Sequence, residues 1–498
     1  MRLKLKGYFP GTLLLLAALF IGSMGAINPA ALGAGVMILG LVFACAFLML
    51  QPQKALMLSF FLVILANTKF RLRDAGALLT GDIDDQIIFE LALYGAILLI
   101  TLINLRSIPR RHLKPSSTEL VLFGYVVLAL ASSLWSYEFR ITAVRGMQLS
   151  ILYALCFVAV RVLGPQEVLR MIAVSVIPYV LLCSLMAFMF PWASGTVFTH
   201  GTRLERFSWF SVHPILAATY TATAVIFITS EAFFAQGSWR RRIMGLPLWL
   251  YLIPLGFILI ATRSRGPLLA FVAAVSMLWV IRYVSPWIAG FTGYAVITLS
   301  AISLSAGFYS PSEAVEDLIG SGNPLIAFLL RGQTSDSLLS LSGRTELWQN
   351  AYGLFLERPI LGYGYIASRS VLLGVIPWAG HAHNAFIETL LDLGVIGTAL
   401  LWFALGKTLL SSLGQASRTA DRAVWHQASI LGVLLFLLFN SSIDATFAGA
   451  PGYQLLLLFA SIFAYEGLKL TARSLSGDPE VFMSHLGLSQ LLLAMWRR

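Results

Sequence analysis

Residues 169–190 read LRMIAVSVIPYVLLCSLMAFMF, and Arg170 is the only charged side chain among them. A helix of about 20 predominantly apolar residues is long enough to cross the hydrocarbon core of a bilayer. Apolar residues run continuously through this stretch, whereas the strands of a membrane barrel alternate between apolar and polar residues. The stretch therefore predicts a transmembrane helix.

Similar apolar runs recur along the whole chain. Of the 498 residues, 58% are hydrophobic and 11% are charged, and the mean hydropathy is +0.82. No soluble fold needs so much apolar surface, so we predict an all-α, polytopic membrane protein with about 12–14 spans. The other runs lie near residues 11–27, 29–50, 54–67, 86–104, 119–135, 141–160, 212–231, 246–261, 267–284, 287–306, 384–406, 424–440 and 452–468.

The positions of lysine and arginine predict how the spans are oriented. Basic residues in short loops are preferentially retained in the cytoplasm, which explains the net charge of +11 without nucleic-acid binding. If the basic N-terminus is inside, the long connection 307–380 falls outside. The basic residues that then fall inside are Arg106, Arg110, Arg111 and Lys114; Arg240, Arg241 and Arg242; Lys407, Arg418 and Arg422; and Lys469 and Arg473.

This layout divides the chain into four parts. We expect membrane helices with outward-facing arginine loops over 1–306, and a periplasmic loop over 307–380. Residues 344–357 have helical apolar spacing, which predicts an amphipathic helix at the membrane boundary or over a cavity. Further membrane helices follow over 381–470, and a cytoplasmic tail over 471–498 is expected to form an interfacial helix.

Polar residues gather at four outward-facing places. Because polar groups are costly in hydrocarbon, such clusters indicate a binding or reaction site on one side of the bilayer. The places are Gly201–Pro214 with Arg203, Arg206 and His213; Thr262–Gly266; Gly343–Trp348 followed by Pro359–Gly364; and His381–Asp392.

Two arginines lie within three residues in the second place. A guanidinium stays charged in a poorly hydrated site, and its donor fork suits diphosphate oxygens. For Arg265 we favour such a ligand role. For Arg263 a contact with lipid headgroups explains the residue equally well.

The fourth place holds the candidate base. His383 can accept a proton from a hydroxyl group near neutral pH, although a lone histidine is also often a structural, hydrogen-bonded residue. We expect His381 to be structural and Asn384 to cap the following helix. Glu388 and Asp392, spaced i,i+4, share a helix face and either orient partners or line a cavity.

The sequence predicts neither a metal nor a cofactor. His381 and His383 form a His-x-His pair, but no third and fourth ligands occur at a recognisable spacing. No phosphate-binding loop of the Gly-x-x-x-x-Gly-Lys-Ser/Thr type is present, so ATP is not expected as an energy source.

Together these motifs resemble the O-antigen ligase and polysaccharide polymerase superfamily of bacterial envelopes. The chain departs from the family pattern at Trp209, where glycine is usual, and at Ile215, where asparagine is frequent. The resemblance covers roughly residues 200–400. It rests on Gly343-Arg344 with Trp348; Pro359 through Gly364; His383-Asn384 with Glu388; Gly394-Val395-Ile396-Gly397; Ser264-Arg265-Gly266; and the spacing from Arg206 to Pro214.

The resemblance implies a metal-independent, inverting glycosyltransferase of the C-type membrane fold in the bacterial inner membrane. Its donor would be a glycan on undecaprenyl diphosphate at the periplasmic face. His383 would activate an acceptor hydroxyl, and arginines would stabilise the departing diphosphate. The implied diphosphate ligands are Arg265 and Arg344, with Arg206 or Arg203, and the implied supporting residues are Ser264, Asn384, Glu388 and Trp348.

Three functions remain open from the sequence. The chain length and C-terminal extension favour a polymerase of O-antigen or exopolysaccharide repeat units, working with membrane lipids and a chain-length regulator. A ligase that transfers the glycan to lipid A–core would use the same donor chemistry. A transporter or flippase is the third alternative, although the polar groups here concentrate on one face instead of running through the bilayer.

Overall fold

The computed structural model describes residues 51–70, 85–195, 206–234, 242–243, 246–283, 344–377, 379–416 and 424–475. Several predictions lie outside these ranges. They concern the helices near 11–27, 29–50 and 287–306, the interfacial tail helix, and Arg203.

Within the described ranges the fold is helical, with a single pair of two-residue antiparallel strands, β1 (Arg242–Ile243) and β2 (Leu246–Pro247). The prediction of an all-α, polytopic membrane protein is confirmed. The helices are α1 (Pro52–Ala66), α2 (Asp85–Leu105), α3 (Ser117–Ala131), α4 (Phe139–Leu163), α5 (Pro165–Met189), α6 (Pro214–Phe234), α7 (Trp249–Ala261), α8 (Arg265–Tyr283), α9 (Arg344–Glu357), α10 (Ser368–Val375), α11 (Ala385–Ala416), α12 (Val424–Ser441) and α13 (Tyr453–Leu475).

Eleven of these helices are apolar along their length. Six are long and apolar enough to cross a bilayer, namely α2, α3, α4, α5, α11 and α13, and the shorter apolar ones are α1, α6, α7, α8 and α12. The stretch 169–190 falls in α5, and its helix begins four residues earlier, at Pro165. Proline at the first helical position is favoured because its missing N–H would have no partner there.

The centre of the described fold is formed by α4, α5, α6, α12 and α13. Helix α13 packs against α4, α5 and α12, and α12 packs against α6. Buried tyrosines lie among these helices: the rings of Tyr220 and Tyr453 are 4.6 Å apart, and the Tyr453 hydroxyl is 2.9 Å from the Thr223 hydroxyl. Peripheral helices such as α2 instead leave large apolar side chains exposed, as a lipid-facing surface requires.

One end of the helix bundle carries basic residues that adjoin the connections predicted to be cytoplasmic. Arg161 on α4 donates to both Glu119 carboxylate oxygens and to the carbonyl of His112. Glu119 also accepts from the backbone N–H of Ser116, which completes a capping box at the start of α3. Lys407 on α11 donates to Ser117 at the same end.

The described parts of the four polar places predicted from sequence lie at the opposite end. Backbone hydrogen bonds join their loops there: Phe207 N–H donates to the carbonyl of Ala261, and Tyr137 N–H donates to that of Tyr363. The same end also holds the connection after α12, so the described helices that lead to these loops end on one face.

Helix α11 differs from its prediction. It extends to Ala416 instead of ending near 406, and Gly394 interrupts it with φ 63° and ψ −162°. The connection between α9 and α10 fills the break: Val395 N–H donates to the carbonyl of Pro359, and Gly364 N–H donates to that of Asp392. A Cβ on Gly394 would collide with the carbonyl of Ile360, so glycine is required at this close approach.

Candidate functional site

The loop that carries His383 is held by hydrogen bonds on both sides. Trp348 Nε1 on α9 donates to the carbonyl of Ala382 at 2.9 Å, and Ala382 N–H donates to the Glu388 carboxylate at 2.6 Å. Asn384 caps α11, because its side-chain oxygen accepts from the N–H groups of Phe386 and Ile387. His383 itself adopts a left-handed φ of 51°.

The carboxylates of Glu388 and Asp392 accept hydrogen bonds mainly from backbone N–H groups. Glu388 accepts from the Ser368 hydroxyl at 2.7 Å, and Asp392 accepts from the N–H groups of Ile366 and Ser368 at 2.8 and 3.0 Å. Both carboxylates are buried. Their contacts join α11 to the start of α10 and to the His383 loop.

His383 faces a carboxylate that sequence analysis missed. Asp444, in the connection between α12 and α13, places Oδ1 3.8 Å from His383 Nδ1, a distance of an ion pair and longer than a hydrogen bond. Burial alone would raise the pKa of Asp444, but its interactions with His383 and His381 outweigh burial, and the pKa lies below its usual value. Asp444 is therefore a permanent negative charge beside the candidate base.

The sequence around Asp444 contained a pattern that could have identified it as a site residue. The carboxylate follows the polar residues Asn440, Ser441 and Ser442, between two apolar runs and on the same predicted side as His383. The Asn384 amide donates to the carbonyl of Ser442 at 3.2 Å, which fixes this connection against the His383 loop.

His381 lies directly beside His383. The two ring centroids are 3.9 Å apart, and His381 Nδ1 accepts from the backbone N–H of His383 at 3.3 Å. Burial, followed by the charge of His383, lowers the pKa of His381 to about 3. The His381 imidazole is thus neutral at physiological pH and supports the loop, in line with the structural role expected for it.

Arg206 donates hydrogen bonds to residues of the second polar place, Thr262–Gly266. Its Nε donates to the carbonyl of Thr262 at 3.3 Å, and its Nη2 donates to the Ser264 hydroxyl at 2.6 Å. The predicted supporting residue Ser264 therefore orients Arg206. The neighbouring departure from the family pattern, Trp209, is fully buried and donates to the Tyr179 hydroxyl at 3.2 Å, so it anchors the same loop in the core.

Arg265 and Arg344 approach the same region from two helices. They lie close enough for their positive charges to interact, and Gly266 approaches the side chain of Ile443 next to Asp444. Burial lowers the pKa of Arg344 and the charge of Asp444 raises it, with a net lowering. A guanidinium remains charged near neutrality despite such a shift, because its unperturbed pKa exceeds 12.

The structure thus brings together most of the predicted residues. His383 and Arg344 both interact with Asp444, and Arg265 interacts with Arg344. Arg206 interacts electrostatically with His213, which in turn interacts with Asp444. The arrangement combines one imidazole that can take up a proton with three cationic groups that can bind an anionic oxygen.

Comparisons with known proteins find one matching family and one similar protein. Residues 250–402 match the family model described as O-antigen ligase. The chain is also 24% identical over 364 residues to the exopolysaccharide production protein ExoQ of Rhizobium meliloti (strain 1021), which covers 70% of this chain and 76% of that protein.

These matches confirm the resemblance to the O-antigen ligase and polysaccharide polymerase superfamily. They support a multi-pass membrane enzyme of the glycosyltransferase type that takes part in polysaccharide assembly. The matched segment contains Arg265, Arg344, His383 and Glu388, whereas Arg206 and Asp444 lie outside it.

Proposed function

We propose that the protein polymerises oligosaccharide repeat units carried on undecaprenyl diphosphate, by inverting, metal-independent glycosyl transfer at the periplasmic face of the bacterial inner membrane. The observation that supports this proposal is that the His383–Asp444 pair and three arginines lie at the same end of the bundle. The expected partners are the lipid-linked glycan, an acceptor glycan, membrane lipids and a chain-length regulator.

His383 is the general base in this scheme. Its Nδ1 faces Asp444, so Nε2 is the nitrogen available to the acceptor hydroxyl. As the hydroxyl oxygen attacks the anomeric carbon, its proton passes to Nε2, and the Asp444 carboxylate stabilises the imidazolium that forms. The gap of 3.8 Å is compatible with this role, because catalytic hydrogen bonds are often long before substrate binds.

The arginines act on the leaving group. The bond between the anomeric carbon and the phosphate oxygen breaks as the new glycosidic bond forms, and the diphosphate leaves with additional negative charge. Arg265 and Arg344, with Arg206 held by Ser264, would stabilise that charge. Because departure of the diphosphate drives the reaction, no nucleotide is required.

Helix α9 supports access for a lipid-linked donor. Leu347 and Ala351 are buried on one side of the helix, whereas Tyr352 and Leu356 are exposed on the other. An exposed apolar side at the outer end of a membrane bundle is typical of a helix that rests in the lipid interface. Arg344, at the first turn of α9, would then lie at the depth of a lipid diphosphate.

The curated relative favours polymerisation, since its name refers to exopolysaccharide production. Transfer of a glycan to lipid A–core is the second candidate, favoured by the O-antigen ligase description of the matching family. A transporter is the third, and the placement of the charged groups at one end argues against it.

Purified protein should be incubated with an undecaprenyl-diphosphate repeat unit, with and without lipid A–core, and the products resolved by size. A ladder formed from the donor alone supports the polymerase. Product that requires lipid A–core supports the ligase, and folded protein without transfer under either condition contradicts both.

A further inference from the structure

His381, His383 and Asp444 form a cluster whose chemistry the glycosyl transfer uses only in part. One ligand-type atom from each of the three side chains lies within 4.8 Å of the other two. The sequence showed the His-x-His pair but no third ligand at a recognisable spacing. The fold supplies that ligand from a connection 61 residues after His383, because the ends of α11 and α12 meet at the same face.

The donor set of the cluster matches the ligand preference of zinc. Two imidazoles and one carboxylate are a frequent set of three protein ligands for Zn²⁺, with the fourth position left open. His383 Nδ1 is buried and makes no hydrogen bond to any described residue. The three side chains are partly exposed, so an ion can reach them from the outer face.

We infer that His381, His383 and Asp444 form a binding site for Zn²⁺, and that the bound ion inhibits glycosyl transfer. The inhibition rests on the proposed role of His383 as the base, whereas the binding does not.

The inhibition follows from the two nitrogens of His383. In a neutral imidazole one nitrogen carries a proton and the other a free electron pair. In the proposed mechanism the imidazole proton of the metal-free enzyme is on Nδ1, beside Asp444, and Nε2 is free to take the proton of the acceptor. When Zn²⁺ binds Nδ1, the proton moves to Nε2, which can no longer act as a base.

The surrounding arginines limit how tightly the ion binds. Arg344 interacts with Asp444, and Arg265 interacts with Arg344, so a divalent cation meets positive charge on that side. The imidazole ligands, which bind through a lone pair and not through net charge, therefore supply most of the affinity. Reversible binding suits an inhibitory ion better than a permanently held structural one.

Binding is tested on the full chain, purified without a polyhistidine tag, stripped with a chelator and kept in detergent or nanodiscs. Zn²⁺ affinity is measured by competition with a chromophoric chelator, and Co²⁺ is added as a spectroscopic probe of coordination. We expect one saturable, reversible site in the native protein and a Co²⁺ spectrum typical of imidazole and carboxylate ligands.

Two variants remove one ligand each, His381→Asn and Asp444→Asn, and the second also keeps the shape of the side chain. The asparagine at 381 keeps an acceptor for the His383 N–H. Loss of a residue that only hydrogen-bonds to a metal ligand costs about 10- to 100-fold in metal affinity. Loss of a ligand should cost at least as much, so we expect the Zn²⁺ affinity of each variant to fall at least about 10-fold. His112→Ala, which removes a histidine at the opposite end of the bundle, is the matched control and should bind Zn²⁺ as the native protein does.

The second readout is the ratio of transfer rates with and without Zn²⁺, which is independent of the basal rate of each variant. The ratio should fall well below one for the native protein and for His112→Ala, and should return towards one in His381→Asn. Unchanged Zn²⁺ affinity in both ligand variants would overturn the site. Tight binding to the cluster with no inhibition, or with activation, would overturn the inhibitory role while leaving the site in place.

Discussion

Replacement of Asp444 by asparagine removes one charge from the candidate site and keeps the shape of the side chain. The carboxylate lies 3.8 Å from His383 Nδ1, and the two side chains are 15% and 25% exposed. At that distance two unit charges interact by about 4 kcal/mol in a medium of effective dielectric about 20, and by about 1 kcal/mol in bulk water. Partial exposure places the pair between these limits.

That energy acts on the transition state, in which His383 becomes positively charged. Each 1.36 kcal/mol corresponds to about a tenfold change in rate, so Asp444→Asn should lower kcat by roughly 10- to 1,000-fold. KM for the lipid-linked donor should change much less, because the charge acts on the imidazolium that forms during reaction and not on the resting histidine.

The assay is transfer from a labelled undecaprenyl-diphosphate repeat unit under multiple-turnover conditions, with kcat and KM determined separately. Glu466→Gln is the matched control: it makes the same carboxylate-to-amide change at the opposite end, where Glu466 accepts from Thr118 and Lys469. That variant should transfer normally. An Asp444→Asn enzyme within threefold of the native rate would refute the electrostatic reasoning.

Three further changes test other parts of the site. Arg265→Lys should lose most of the transfer activity at unchanged stability, because a point charge cannot replace the two-pronged guanidinium on a diphosphate; the donor-transfer assay measures this, and full activity would reduce Arg265 to a headgroup contact. Glu388→Ala leaves two buried donors, the Ser368 hydroxyl and the Ala382 N–H, without their acceptor, at a cost of about 1–3 kcal/mol each. The thermal unfolding midpoint should therefore fall, and an unchanged midpoint would contradict the role of Glu388 in holding the His383 loop. Gly394→Ala introduces a Cβ against the carbonyl of Ile360 at a left-handed φ, which should destabilise the fold by roughly 1–3 kcal/mol. An unfolding midpoint equal to that of the native protein would show that the break in α11 tolerates a side chain.

Local sequence patterns were sufficient for the elements of the fold. Long apolar runs predicted most of the described membrane helices within a few residues, because burial in lipid requires an apolar helix whatever its neighbours are. Helices α11 and α13 instead extend beyond their predicted ends, to Ala416 and Leu475. The amphipathic spacing of residues 344–357 predicted α9 with its observed bounds, Arg344–Glu357. The grouping of polar residues at helix ends predicted which loops would share one face.

The pairings within the site were not readable from the sequence. Asp444 is 61 residues from His383, and Ser264 is 58 residues from Arg206. No local sequence spacing therefore predicts either contact. The interruption of α11 was missed for the same reason, since Gly394 is demanded by the carbonyl of Ile360 in a separate segment. Such contacts depend on which helices become neighbours, and a single apolar pattern is compatible with many arrangements of helices.

The central claim is that His383 is the base for glycosyl transfer, and His383→Ala tests it most directly. The decisive measurement is product formation by the purified variant with a native undecaprenyl-diphosphate donor, at equal amounts of folded, membrane-inserted protein. General-base catalysis contributes about 10²- to 10⁴-fold, so the account predicts a loss of that size with the unfolding midpoint unchanged. Near-native product formation by His383→Ala would contradict it.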